Sequence, residues 1–157
     1  MTNLLENKTI LLGVTGSIAA YKAADLASKL TQSGAQVDTI LTENASRFVT
    51  PLTFRSLTHR PVVTNLFDMD SEEAIEHVSL SQRADILVVA PASAHTLAKL
   101  ALGLADNTLT TVALATSAPL LVVPAMDAHM WKHPTVQEHI ATIESRGAYV
   151  RSEEHTS

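Results

Sequence analysis

Three stretches of this 157-residue chain bring together side chains suited to chemistry. Pro124-Ala-Met-Asp-Ala-His-Met-Trp131 places two thioethers, a carboxyl, an imidazole and the only indole of the chain within eight residues. It follows Pro119 to Val123, an apolar run that reads as a buried strand. Ligands of open α/β sheets bind just beyond the carboxyl ends of strands, so the octet stands where a ligand would sit, with a core-packing turn as the plain alternative. Val14-Thr-Gly-Ser17 joins a strand to a helix, and backbone N–H groups at a helix start converge on a phosphate. Gly16 permits close approach there, and Ser17 adds a hydroxyl. Ser93-Ala-His-Thr96 offers a second set of hydroxyls and N–H groups, where the plain alternative is a helix cap. Two such loops suit one mononucleotide across a switch point. Glu43 keeps a dinucleotide site open as an alternative, although Gly13-Val-Thr-Gly16-Ser-Ile-Ala19 lacks the full Gly-x-Gly-x-x-Gly pattern. His129 and His133 stand four residues apart, but no Glu follows His129 and Pro134 disturbs the helix, so no metal site is expected.

Secondary structure must hold these groups in place. Residues 9–14 read as a buried strand, followed by an Ala-rich helix over 17–30 that ends near Gly34. A second strand spans 35–41, a helix broken by Pro51 spans 44–57, and a short strand spans 61–64. Residues 66–76 are acidic and read as a mobile loop. A strand over 85–90 precedes helical stretches at 96–102 and 107–115, then a strand over 120–123. Pro134 opens a helix running to about Arg146, and 148–150 begin another strand. This alternation predicts an α/β fold, a three-layer doubly wound parallel sheet of flavodoxin or Rossmann type, truncated at the carboxyl end.

Charged residues make up 17% of the chain, against roughly 25% in an average soluble protein, which points to a homo-oligomer. A net charge of −5 with no basic block argues against nucleic acid and against an anionic membrane surface. No apolar run is long enough to span a bilayer and no signal peptide is present, so the cytoplasm is expected. The absence of cysteine excludes disulfides and thiolate metal sites. Arg151 to Ser157 shows no packing pattern and matches the in-frame translation of a widely used sequencing adapter. The expected organisation is a domain over 1–150, continuing past Val150 in the natural protein, and a read-through tail over 151–157.

The octet resembles the Pro-x-Met-Asn-x-x-Met-Trp signature of the flavin-containing cysteine decarboxylases. Val14-Thr-Gly-Ser-Ile-Ala-Ala-Tyr-Lys22 resembles the flavin phosphate loop of that family. The segment from His77 to Lys99 resembles its catalytic histidine segment followed by its second flavin loop. Order and spacing match from about Lys8 to Val150. The resemblance implies FMN as cofactor, contacted by Gly16, Ser17 and Ile18, by Thr42, Glu43 and Asn44, by Ser93, Ala94, His95 and Thr96, and by Ala125. It implies His77, placed before an amphipathic turn leading into a strand, as a base or thiol-orienting group. Met126, Asp127 and Met130 are implied as substrate-binding residues.

An unactivated carboxylate loses CO₂ only when the electrons left behind have somewhere to go. The family meets this need by oxidising the substrate's cysteine thiol to a thioaldehyde with FMN, and the protein positions the substrate. The implied function is decarboxylation of 4′-phosphopantothenoylcysteine toward 4′-phosphopantetheine in coenzyme A biosynthesis. Its implied setting is a homotrimer or homododecamer with sites at subunit interfaces and a fused ligase domain. A peptidyl-cysteine decarboxylase, a flavin prenyltransferase and a non-catalytic flavoprotein subunit are the alternatives. Two positions depart from the family pattern. His95 replaces an Asn, and imidazole also donates hydrogen bonds. Asp127 replaces the Asn that holds the substrate carboxylate, which an ionised Asp would repel. The family's reductive step uses a flap cysteine absent from this sequence, so oxidation and decarboxylation without reduction are expected of the chain as given.

Overall fold

A computed structural model describes residues 4–64 and 72–151, with the backbone alone described at 72–77. Its elements run β1 (Thr9–Val14), α1 (Ala20–Gln32), β2 (Gln36–Leu41), α2 (Pro51–Thr58), β3 (Val62–Val63), α3 (Glu72–Arg83) and β4 (Ile86–Ala92). They continue with α4 (Ala94–Leu102), α5 (Thr108–Ala115), β5 (Leu120–Pro124), α6 (Ala128–Lys132), α7 (Pro134–Ser145) and β6 (Tyr149–Val150). The strands form one sheet in the order β3-β2-β1-β4-β5-β6, every neighbouring pair parallel. That is the Rossmann order rather than the flavodoxin one, which settles the choice left open by element alternation.

Strand periodicity assigns the two faces. Ile10, Leu12 and Val14 of β1 pack with Val37 and Leu41 of β2 against Ala20, Ala23 and Ala27 of α1 and Phe54 of α2. Those three alanines recur along one helical stripe, and their small side chains let α1 lie close to the sheet. On the other face, Leu11, Ile40, Leu87, Val89 and Val122 meet Leu80, Leu97, Leu109, Val136, Ile140 and Ile143 from α3, α4, α5 and α7. Gly13 sits under Leu109, whose side chain occupies the space that a Cβ would need. The result is three layers with a core on each side of the sheet.

Several boundaries differ from the sequence reading. The helix expected over 44–57 is a single 3-10 turn at Ala45–Arg47 followed by α2. Pro51 starts α2 instead of merely interrupting it, because a missing N–H costs nothing at the first helical position. The first helix begins at Ala20, three residues later than expected, because the Ser17 hydroxyl accepts the Ala19 N–H (3.0 Å) and holds residues 17–19 as a loop. The acidic segment read as a loop over 66–76 is helical from Glu72 onward; the rest of it lies outside the described residues. Glutamates at 72, 73 and 76 suit the positive end of a helix dipole, so the charge that suggested a loop favours a helix start. His77 is therefore in mid-helix, not before a turn. Of the expected tail, only Arg151 is described, and its N–H donates to the Val122 carbonyl (2.9 Å), continuing the β6 pairing.

Candidate functional site

Strand order reverses between β1 and β4, and the loops leaving their carboxyl ends bound a crevice. Thr15 joins these loops. Its buried hydroxyl donates to the Pro91 carbonyl (2.7 Å) and accepts the Ser93 N–H (2.9 Å), while its own N–H reaches the same carbonyl (3.3 Å). The Ala90–Pro91 peptide is cis, and the register of β4 against β5 shifts between Val89 and Ala92. Ala125 ties the octet to this corner through its N–H to the Ala92 carbonyl (3.1 Å).

A cleft of about 200 Å³ opens there, lined by Gly16, Thr42, Glu43, Asn44, Ser93, His95, Thr96, Lys99, Asp106 and Asn107. The first seven belong to the predicted cofactor set. Gly16 is required by contact: a Cβ on it would lie 2.5 Å from the Asn44 Cβ. The Thr42 hydroxyl accepts the Ala45 N–H (3.2 Å), so it shapes the loop after β2. Ser93 caps α4, its hydroxyl accepting the Thr96 N–H (3.2 Å). Ser93 therefore caps α4 and also lines the cleft. Helix geometry leaves the Ala94 and His95 N–H groups without intrahelical acceptors, a donor pair at the positive end of the helix. Of the remaining predicted contacts, Ser17, Ile18 and Ala94 stand within two residues of lining positions without lining the cleft, and Ile18 is exposed; Ala125 does not line it and is joined to the corner through the Ala92 carbonyl.

Three lining residues escaped the sequence reading. After α4, Gly103 adopts a left-handed conformation (φ 73°), and the Leu104 N–H donates to the Lys99 carbonyl (3.0 Å). The Lys99 ammonium then binds the Asp106 carboxylate (2.9 Å). This hydrogen bond from Lys99 lowers the Asp106 pKa below its usual 3.8 against an opposing desolvation. The chain is thereby folded back so that residues 106 and 107 meet loops distant in sequence. Thr15 was also missed; a hydroxyl directly after a buried strand was the one available signal. A larger cleft of about 330 Å³ lies between α4, α5 and α7 toward the amino ends of β5 and β6. The loops that line it enter the strands at their amino ends, whereas ligands of such sheets bind beyond the carboxyl ends, so the smaller, polar cleft is the better candidate.

The octet divides its labour. Met126 and Trp131 pack against the core, whereas Met130 is 44% exposed. The Asp127 carboxylate accepts the Met130 N–H (2.9 Å) and caps α6. His133 caps α7 through Nδ1, which accepts the Thr135 N–H (3.1 Å). Among the described residues, no three His, Asp, Glu or Cys side chains gather as a metal site would require. His77 lies on α3, which descends toward the start of β4; its side chain is outside the described atoms. The lower end of α3 is anchored by Arg83 to the buried Asp38 (3.2 Å), which also holds Arg60 (2.7 Å).

A parallel sheet in Rossmann order with a glycine-lined polar crevice at its switch point defines a nucleotide-binding α/β domain. The chain belongs to the Flavoprotein family, whose model matches residues 2–154. It is 46% identical over 144 residues to the coenzyme A biosynthesis bifunctional protein CoaBC of Bacillus subtilis (strain 168), covering 92% of this chain and 36% of that protein. It thus spans little more than a third of that relative's length. A probable phosphopantothenoylcysteine decarboxylase of Streptococcus mutans is 46% identical over 142 residues, covering 89% of this chain and 79% of the relative. The crystal structure of the FMN-dependent cysteine decarboxylase SpaF superposes with a TM-score of 0.86 at 31% identity, over 94% of this chain and 85% of SpaF. Among the described residues, no helix is long and apolar enough to cross a membrane.

Proposed function

We propose that this protein binds FMN across the β1–β4 crevice and decarboxylates 4′-phosphopantothenoylcysteine in coenzyme A biosynthesis. The observation carrying this reading is the cleft itself, in a chain 46% identical to CoaBC. A polar cradle that excludes a Cβ at Gly16 and presents the N–H groups of a helix start suits a phosphorylated cofactor. Gly16, Ser17, Ile18, Thr42, Glu43, Asn44, Ser93, Ala94, His95, Thr96 and Ala125 hold it. When bound, FMN supplies a two-electron acceptor for the substrate thiol.

The chain's own groups handle the substrate. His77 takes or orients the thiol proton, and Met126 and Met130 flank the substrate arm. With one oxygen of Asp127 on the Met130 N–H, the carboxylate has acceptor capacity for an amide N–H of the pantothenoyl arm. A homotrimer or homododecamer belongs to the same proposal, supported by the exposed apolar side chains of Ile18 (84%) and Tyr21 (66%) beside the first loop. So does a fused ligase domain, supported by the bifunctional description of the Bacillus relative.

A second reading, decarboxylation of a peptidyl cysteine, is compatible with the likeness to SpaF, an FMN-dependent cysteine decarboxylase. Purified protein should show a flavin band and release CO₂ from 4′-phosphopantothenoylcysteine. Release from a cysteine-terminated peptide alone would select the second reading, and a colourless protein unable to take up FMN would overturn both.

A further inference from the structure

We infer that Asn107 is a cofactor-binding residue, its side-chain amide donating to a hydrogen-bond acceptor of the flavin nucleotide. The inference rests on the FMN reading above and adds a residue to it. Asn107 is half-buried, lines the cleft beside Gly16 and His95, and lies beyond all the loops expected to hold the cofactor.

Its orientation follows from its other task. The Oδ1 atom accepts both the N–H and the hydroxyl of Thr110 (2.8 Å each), and the Asn107 N–H donates back to the Thr110 hydroxyl (3.3 Å). These bonds form a capping box at the start of α5. Because the capped N–H requires an acceptor, the oxygen must face the helix and Nδ2 the other way. Among the described residues, Nδ2 donates no hydrogen bond, and the side-chain bonds of Asn107 all fall on Oδ1. Capping does not account for the amide, since Asp or Ser would cap as well. What Asn adds is a neutral pair of N–H donors. The neighbouring cation is already engaged, because Lys99 binds Asp106 (2.9 Å). That same ion pair folds the loop back and brings Asn107 to the cleft.

The test is FMN affinity, read by quenching of flavin fluorescence on the full chain. Asn107→Asp keeps the cap but replaces the donor with an acceptor, and Asn107→Ser keeps the cap without a donor of equal reach. The expected result is wild-type resistance to urea for both, with the FMN dissociation constant raised about tenfold or more for Asp and about threefold to tenfold for Ser. Wild-type affinity in the Ser variant would overturn the inference, because any loosening in the Asp variant would then be charge repulsion alone. Wild-type affinity in the Asp variant would overturn it as well. If the unsubstituted protein takes up no FMN, the flavin reading itself falls and this inference falls with it.

Discussion

Gly16 and Asp127 show how differently single residues can constrain a site. At Gly16 a methyl group would stand 2.5 Å from the Asn44 Cβ, with the Asn44 carbonyl carbon and oxygen only 3.2 and 3.3 Å away. Backbone on that side leaves no cheap relief, so the loops after β1 and β2 must separate. Gly16→Ala is expected to destabilise the fold by about 1–3 kcal/mol and to weaken FMN binding by about tenfold, measured by urea unfolding and flavin titration. Asp127 is exposed, and its shown role is to accept the Met130 N–H. Asn caps as well as Asp, so Asp127→Asn should leave stability within about 0.5 kcal/mol, whereas Asp127→Ala should cost about 1 kcal/mol. Michaelis constants for Asp127→Asn then report substrate contact separately: an unchanged value would remove the carboxylate from the substrate pocket.

Elements set where these residues meet. The turn from α4 to α5 depends on Gly103, on the Leu104 N–H and on the Lys99–Asp106 pair. Asp106 has its folded pKa lowered, chiefly by the hydrogen bond from Lys99. A depressed carboxyl pKa stabilises the fold above the unfolded value and ceases to do so as pH falls through the folded value. Asp106→Asn should therefore be less stable than the parent at neutral pH, and the gap should close as pH falls below 3.8 and through the lower folded value. Denaturant titrations of both proteins from pH 7 to pH 2 check this; a gap independent of pH would show that the ion pair is not what holds the turn. A similar lesson comes from α3. Its acidic start carries a loop signal in composition alone, yet acidic residues at a helix's amino end are favoured by the helix dipole.

For the whole molecule, the reversal of strand order concentrates the candidate ligand site in one crevice whose loops come from separate parts of the chain. FMN that binds only the folded state should raise the melting temperature. At a ligand concentration 100 times the dissociation constant the gain is about 2.7 kcal/mol, or about 5–10 °C for a domain of this size. Differential scanning fluorimetry with and without FMN measures the shift, and no shift at saturating FMN would contradict binding. This coupling is also why Gly16, Thr15 and Asn107 should affect binding together. Thr15 clamps the β1 loop to the β4 loop, Gly16 lets the β2 loop close in, and Asn107 faces them from the start of α5.

The sequence by itself determined the elements and the local junctions. Six strands, their alternation with helices, and the loops at Gly16 and Ser93 were readable because periodicity, caps and turn residues act over a few residues. The octet was readable for the same reason, and so was its plain alternative of a core-packing turn, since Met126 and Trp131 do pack against the core. Only the tertiary structure decided the order of the strands, the clamp at Thr15, and the return of Lys99, Asp106 and Asn107 to the cleft. Those features depend on contacts between residues far apart in the chain, such as Thr15 with Pro91. Local pattern carries no record of which strand ends will become neighbours.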